Sequence, residues 1–116
     1  MRILIVEDEL MIRMLLEDML GELGYTIAAE VGRMDEALDA VNKGDFDVAI
    51  LDVNLSGETT GPVAEALAAR GLPFVFATGY GEHGLPAAFR DRPTLKKPFQ
   101  IDGLDQLLQS ALARKS

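Results

Sequence analysis

Short apolar runs alternate with longer amphipathic segments along this chain, and that alternation is the strongest restriction on its fold. The runs are Ile3–Val6, Thr26–Val31, Val48–Leu51, Phe74–Ala77 and the shorter Thr94–Lys96. Each has strand length, and Val48–Leu51 is apolar throughout, as suits a strand covered on both faces. Glu9–Leu23 repeats apolar residues at the helical period (Ile12, Leu15, Leu16, Met19, Leu23), with Gly24 as its stop. Met34–Asn42 carries Ala37, Leu38 and Val41 ahead of Gly44, and Gly61–Arg70 has Pro62 near its start and Gly71 at its end. Ile101–Ala113 carries Ile101, Leu104, Leu107, Leu108 and Leu112. The stretch GYGEHGLPAAFRDRP is broken by glycine and proline, so a fourth helix there is expected to be short or irregular. Strands alternating with helices imply βα units, a parallel sheet and a small doubly wound α/β sandwich.

In such sheets ligands bind beyond the carboxyl ends of the strands. The residues at those ends are Glu7, Asp8 and Glu9 after the first run, Asp52 after the third, Thr78 after the fourth and Lys97 after the fifth. Like charges at about 4 Å repel by roughly 1 kcal/mol in water and roughly 4 at a partly buried site. A cluster of acids at a buried edge therefore calls for a cation. A carboxylate can attack phosphorus and form an aspartyl-phosphate. Such a transfer asks the protein mainly for positioning and charge neutralisation. Mg²⁺ suits carboxylate and phosphate oxygens, a lysine supplies a point charge and a hydroxyl donates a hydrogen bond.

The 116 residues suit one compact domain, and an apolar fraction of 48% is enough for a core. No apolar run approaches the roughly 20 residues that span a membrane, and nothing at the N-terminus reads as a signal peptide. Cysteine is absent, which excludes disulfides and thiolate metal sites. A cytoplasmic location fits. The net charge of −8 opposes direct binding to nucleic acid and favours cations or basic partner surfaces.

Taken together, Glu7-Asp8, the lone Asp52, Thr78 and Lys97-Pro98 at this spacing resemble the receiver domain of two-component response regulators. The resemblance covers essentially 1–116 as a single receiver, leaving no residues for a DNA-binding output domain. It implies a five-stranded flavodoxin-like sheet of order 2-1-3-4-5. It further implies Asp52 as phosphoacceptor, Asp8 as direct Mg²⁺ ligand, Glu7 acting mainly through water, and the Asn54 backbone carbonyl as a further ligand. Thr78 and Lys97 would bind the phosphoryl oxygens. The phosphodonor would be a histidine kinase or a histidine phosphotransfer protein. Output would be a protein partner or onward relay of phosphate, by a monomer or a phosphorylation-dependent dimer. A receiver promotes its own phosphorylation and dephosphorylation without being a conventional turnover enzyme.

The chain departs from the common receiver pattern. Ser56 stands where a proline is usual, so LSGETTG is expected to form a looser loop. Thr94 stands where a switch aromatic is usual. PFVFATGYGEHG instead resembles the FAT GUY receivers, mostly single-domain regulators of alphaproteobacteria, which implies Tyr80 as the replacement aromatic. Gly79 and Gly81 flank it and permit backbone states closed to other residues, so this loop is the expected mobile element. Asn54 and Tyr80 also occupy the positions two residues past Asp52 and Thr78, which in receivers adjust phosphoryl lifetime.

Other features carry plainer readings. Glu9 fits a helix start, where negative charge favours the dipole. His83 reads as a loop residue, since one histidine makes no metal site. Lys96 reads as an exposed neighbour of Lys97. Leu10, Met11 and Met14 fall off the core stripe of the first helix. They are either scattered surface apolarity or, with Phe99, a docking patch for the phosphodonor's helical bundle. Two other function classes compete: an Mg²⁺ phosphatase with an aspartyl nucleophile, which would need an acid where Asn54 stands, and an inert interaction module.

Overall fold

The computed structural model describes residues 1–55, 57–78, 94–96 and 100–113. The strands of the main sheet are β1 (Arg2–Val6), β2 (Thr26–Val31), β3 (Val48–Asp52), β6 (Phe74–Thr78) and β7 (Thr94–Lys96). They form one parallel sheet in the order β2-β1-β3-β6-β7. Counted along the chain, that is the implied order 2-1-3-4-5. The short pair β4 (Asn54–Leu55) and β5 (Glu58–Thr59) stands apart from it. Among the described residues the helices are α1 (Leu10–Glu22), α2 (Met34–Lys43), α3 (Gly61–Ala69) and α4 (Ile101–Ala113).

The two-residue period of a strand divides the core. Leu4, Val6, Ala49, Leu51, Phe74 and Phe76 point to one face and pack with Ala37 and Val41 of α2 and Val63, Ala64 and Leu67 of α3. Ile3, Ile5, Val48, Ile50, Val75 and Ala77 point to the other, against Leu16 and Leu20 of α1 and Leu104, Leu108 and Ala111 of α4. Phe74 and Phe76 meet edge to face, with ring centroids 5.6 Å apart, a favoured aromatic geometry. Burial on both faces explains why the strands read as continuous apolar runs.

Two local expectations change. The deepest residue of α1 besides Leu16 is Leu20, one turn further on, whereas Ile12, Leu15, Met19 and Leu23 are only partly buried. And the described residues of LSGETTG, all but Ser56, do not form a loose loop. Asn54 and Leu55 pair antiparallel with Thr59 and Glu58, forming a hairpin. Gly57 supplies a φ of +85° near its tip, and Leu55 anchors it in the core. A buried leucine and a glycine give this loop the order that the missing proline does not. The fourth-helix expectation falls at 81–93, outside the described residues.

Candidate functional site

The sheet register brings the predicted acids together. Val6 of β1 lies beside Leu51 of β3, so the next residues, Glu7 and Asp52, emerge at the same carboxyl edge. One carboxylate oxygen from each of Glu7, Asp8 and Asp52 lies within 4.8 Å of the others. Glu7 is 1% exposed and Asp52 7%, while Asp8 is open to solvent. The cluster thus has a buried floor and one wet side. At such spacing each like-charged pair costs about 1 kcal/mol in water and about 3.5 at an effective dielectric constant of 20. Three hard oxygen donors with access to water fit a Mg²⁺-sized cation that keeps part of its hydration.

Glu7 and the end of β3 at Asp52 are held from outside the cluster. The Glu7 N–H donates to the Val31 carbonyl at 3.0 Å, and the Glu7 carboxylate accepts from the Glu9 N–H at 3.1 Å. Glu9 does stand at the start of α1, as its N-cap, without a side-chain capping bond. Asp52 ends β3 opposite Ala77, and the Val53 N–H continues the ladder to the Ala77 carbonyl at 3.1 Å. Thr78 therefore ends the neighbouring strand at the same edge. It pairs with Lys96 of β7. Asn54 opens the hairpin, paired with Thr59, and Thr94 opens β7, paired with Phe76. Met11 and Met14 are 82% and 54% exposed, and Leu10 66%, forming an apolar strip on α1 next to the acids. Gly79, Tyr80, His83, Lys97 and Phe99 lie outside the described residues.

Thr60 and Arg13 support the site without having been singled out in the sequence. Thr60 is fully buried, and its hydroxyl donates to the Asp52 carbonyl at 2.6 Å, with the Val53 carbonyl at 3.2 Å. A threonine just ahead of Gly-Pro at a helix start reads as an N-cap. Here it holds the N-cap position but turns its hydroxyl back to the end of β3. Arg13 Nε donates to the Glu7 carbonyl at 2.7 Å. No local pattern announces that bond, because it depends on how α1 folds back over β1.

On the neighbouring strand β2, burial and Glu17 raise the Glu30 carboxyl above its ordinary value of 4.5, while Arg13 pulls it down. A raised carboxyl holds its proton more tightly in the folded state. Its stability contribution is therefore full at low pH and is lost as pH rises from 4.5 through the folded value. Glu30→Gln should remove that loss. Urea unfolding across this range should show the wild type falling relative to the variant by a small, solvent-screened amount. Parallel curves would contradict it.

Among the described residues no helix is long and apolar enough to cross a membrane. Residues 3–109 match the response regulator receiver domain model. The transcriptional regulatory protein PdtaR of Mycobacterium tuberculosis is 34% identical over 97% of this chain and 57% of its own length. This chain thus spans about half the length of the curated relatives it matches. The solution structure of SdrG from Sphingomonas melonis Fr1 is 53% identical, with a TM-score of 0.87 over 96% of this chain and 95% of that one. The BeF₃-activated conformation of SdrG from Pseudomonas melonis Fr1 is 52% identical, with a TM-score of 0.82 over the same shares. With its sheet order, its acidic edge and these matches, the chain belongs to the response regulator receiver domain family.

Proposed function

We propose that this receiver takes a phosphoryl group on Asp52 from a histidine phosphodonor in a Mg²⁺-dependent step, and signals through protein contacts or passes the phosphate on. The observation that carries the reading is the convergence of Glu7, Asp8 and Asp52 at one sheet edge, with oxygens within 4.8 Å. Asp8 would hold the ion directly, Glu7 through water, with Asp52 and the Asn54 carbonyl completing the protein ligands. When bound, Mg²⁺ would neutralise charge on the carboxylates and the phosphoryl oxygens.

The chain's own residues do the rest. An Asp52 oxygen attacks phosphorus as the phosphorus–nitrogen bond to the donor histidine breaks. The histidine leaves with that electron pair. Thr78 donates a hydrogen bond to one phosphoryl oxygen, and Lys97 offers its ammonium to another. Tyr80, with Gly79 beside it, takes the switch role that Thr94 lacks the ring to perform. The BeF₃-activated state of the 52% identical SdrG supports this reading, since BeF₃⁻ stands in for a phosphoryl group on a carboxylate.

Acetyl phosphate with Mg²⁺ should add one phosphoryl mass to the wild type and none to Asp52→Asn. Turnover of a phosphate ester would instead favour a hydrolase, and no response an inert module. The exposed strip on α1 would meet the donor. Met11→Ser with Met14→Ser should slow transfer from a cognate kinase about tenfold, the size of a modest interface contribution. Labelling by acetyl phosphate should be spared. Equal losses in both assays would place the damage in the site.

A further inference from the structure

We propose that Arg13 is a positioning residue for the acidic site, and that Gly32 reserves the space in which it works. The inference rests on the reading of Glu7, Asp8 and Asp52 as the Mg²⁺ site. Arg13 lies in the first turn of α1, and its Nε bond to the Glu7 carbonyl spans six residues of chain. With the Val31 and Glu9 contacts, the Glu7 carbonyl, N–H and carboxylate are each tied to a different neighbour. The turn that presents Glu7 and Asp8 is thereby clamped between the end of β2 and the start of α1.

Gly32 follows β2 directly. A Cβ placed on it would stand 2.4 Å from Arg13 Nη2, so the tip of the guanidinium would have to shift, but 3.6 Å from Arg13 Cζ and 3.5 Å from the Asp8 Cα, both ordinary contacts. A methyl group there would push the guanidinium tip aside and tilt the fork that bonds the Glu7 carbonyl, while leaving the backbone of the acid turn room to stay. The two residues therefore work as a pair: the guanidinium fork lies in a slot that Gly32 leaves clear.

Groups that orient metal ligands matter to affinity even without touching the metal. A mere bystander charge has the opposite signature. Removing a cation beside carboxylates would tighten Mg²⁺ binding, and moving it slightly would change little.

The test titrates Mg²⁺ alone into ¹⁵N-labelled protein and reads its dissociation constant from amide shifts. Arg13→Ala and Gly32→Ala should each weaken binding by about three- to tenfold, the scale of one hydrogen bond. The double variant should be no weaker than the weaker single one. In metal-free protein, exchange of the Glu9 amide should speed up in both. Gly32→Ala removes no charge and no donor, so its affinity reads the placement of the Arg13 fork alone, and it can be measured even if Arg13→Ala fails to fold. Wild-type or tighter affinity in a folded variant, or a double loss equal to the product of the singles, would overturn the proposal. Asp8→Asn separates the two levels. If the wild type responds and Asp8→Asn does not, unaffected Arg13 and Gly32 variants sink this inference alone. A wild type that shows no saturable response sinks the site reading and this inference with it.

Discussion

In the presence of a chelator, Asp52→Asn should melt above the wild type, and in millimolar Mg²⁺ the order should reverse. Asp52 and Glu7 are both buried, and Asp8 closes the cluster within 4.8 Å. Removing one charge relieves repulsion on the order of 1 kcal/mol or more. Asparagine keeps the volume of the side chain, so no cavity offsets that gain. With Mg²⁺ the balance shifts. An ion that binds only the folded state stabilises it by about 2.7 kcal/mol at a hundredfold excess over its Kd. The variant, short of one carboxylate of the cluster, should gain far less. Asp8→Asn should blunt the Mg²⁺ response in the same way. Calorimetric scans of the three proteins with EDTA and with Mg²⁺ would check this. A wild-type melting temperature indifferent to Mg²⁺ would contradict the account.

Thr60→Val should cost about 1–3 kcal/mol, the penalty for leaving buried acceptors without their donor. The side chain is fully buried, so valine fills the same space and the loss is that of the hydroxyl alone. The consequence should reach the chemistry. The hydroxyl bonds the carbonyl of Asp52 itself, and with it the first residue of the connection to the hairpin. Freeing that carbonyl lets the Asp52 carboxylate shift, and if Asp52 is the acceptor proposed above, small misplacements of it cost up to about 100-fold in rate. Chemical denaturation should give the stability loss. The rate of acetyl phosphate labelling, measured where the variant is fully folded, should fall by about tenfold or more. Serine at 60 should restore most of the labelling rate. A stable variant labelled at the wild-type rate would mean that Thr60 does not position Asp52.

The framework was legible because it is written in local patterns. Apolar runs of strand length mark β1, β2, β3, β6 and β7 to within a residue, and glycines with positive φ stand at 24, 44 and 71, where helices were expected to stop. Convergence of the acids follows once the strands are parallel, since parallel strands put their carboxyl ends on one side. The order of strands did not come from the pattern; it came with the receiver resemblance, and the sheet has it. What escaped depends on contacts between elements. Leu20 is buried because α1 packs on β1 and β3 through that turn. The hairpin at 54–59 depends on Leu55 reaching the core, which outweighs the polar look of its sequence. Thr60 escaped because the end of β3, and not its own helix, sets which carbonyl its hydroxyl bonds. Arg13 and Gly32 lie 19 residues apart and meet only because β2 runs beside β1.

The most direct measurement is a titration of ¹⁵N-labelled wild type and Asp52→Asn with BeF₃⁻, with and without Mg²⁺. A receiver that uses Asp52 should show saturable amide shifts around Asp52, Thr60 and Thr78 in the wild type with Mg²⁺ present. No such response should occur in Asp52→Asn or without the metal. A wild type that does not respond, or an Asp52→Asn variant that responds equally, would contradict the account.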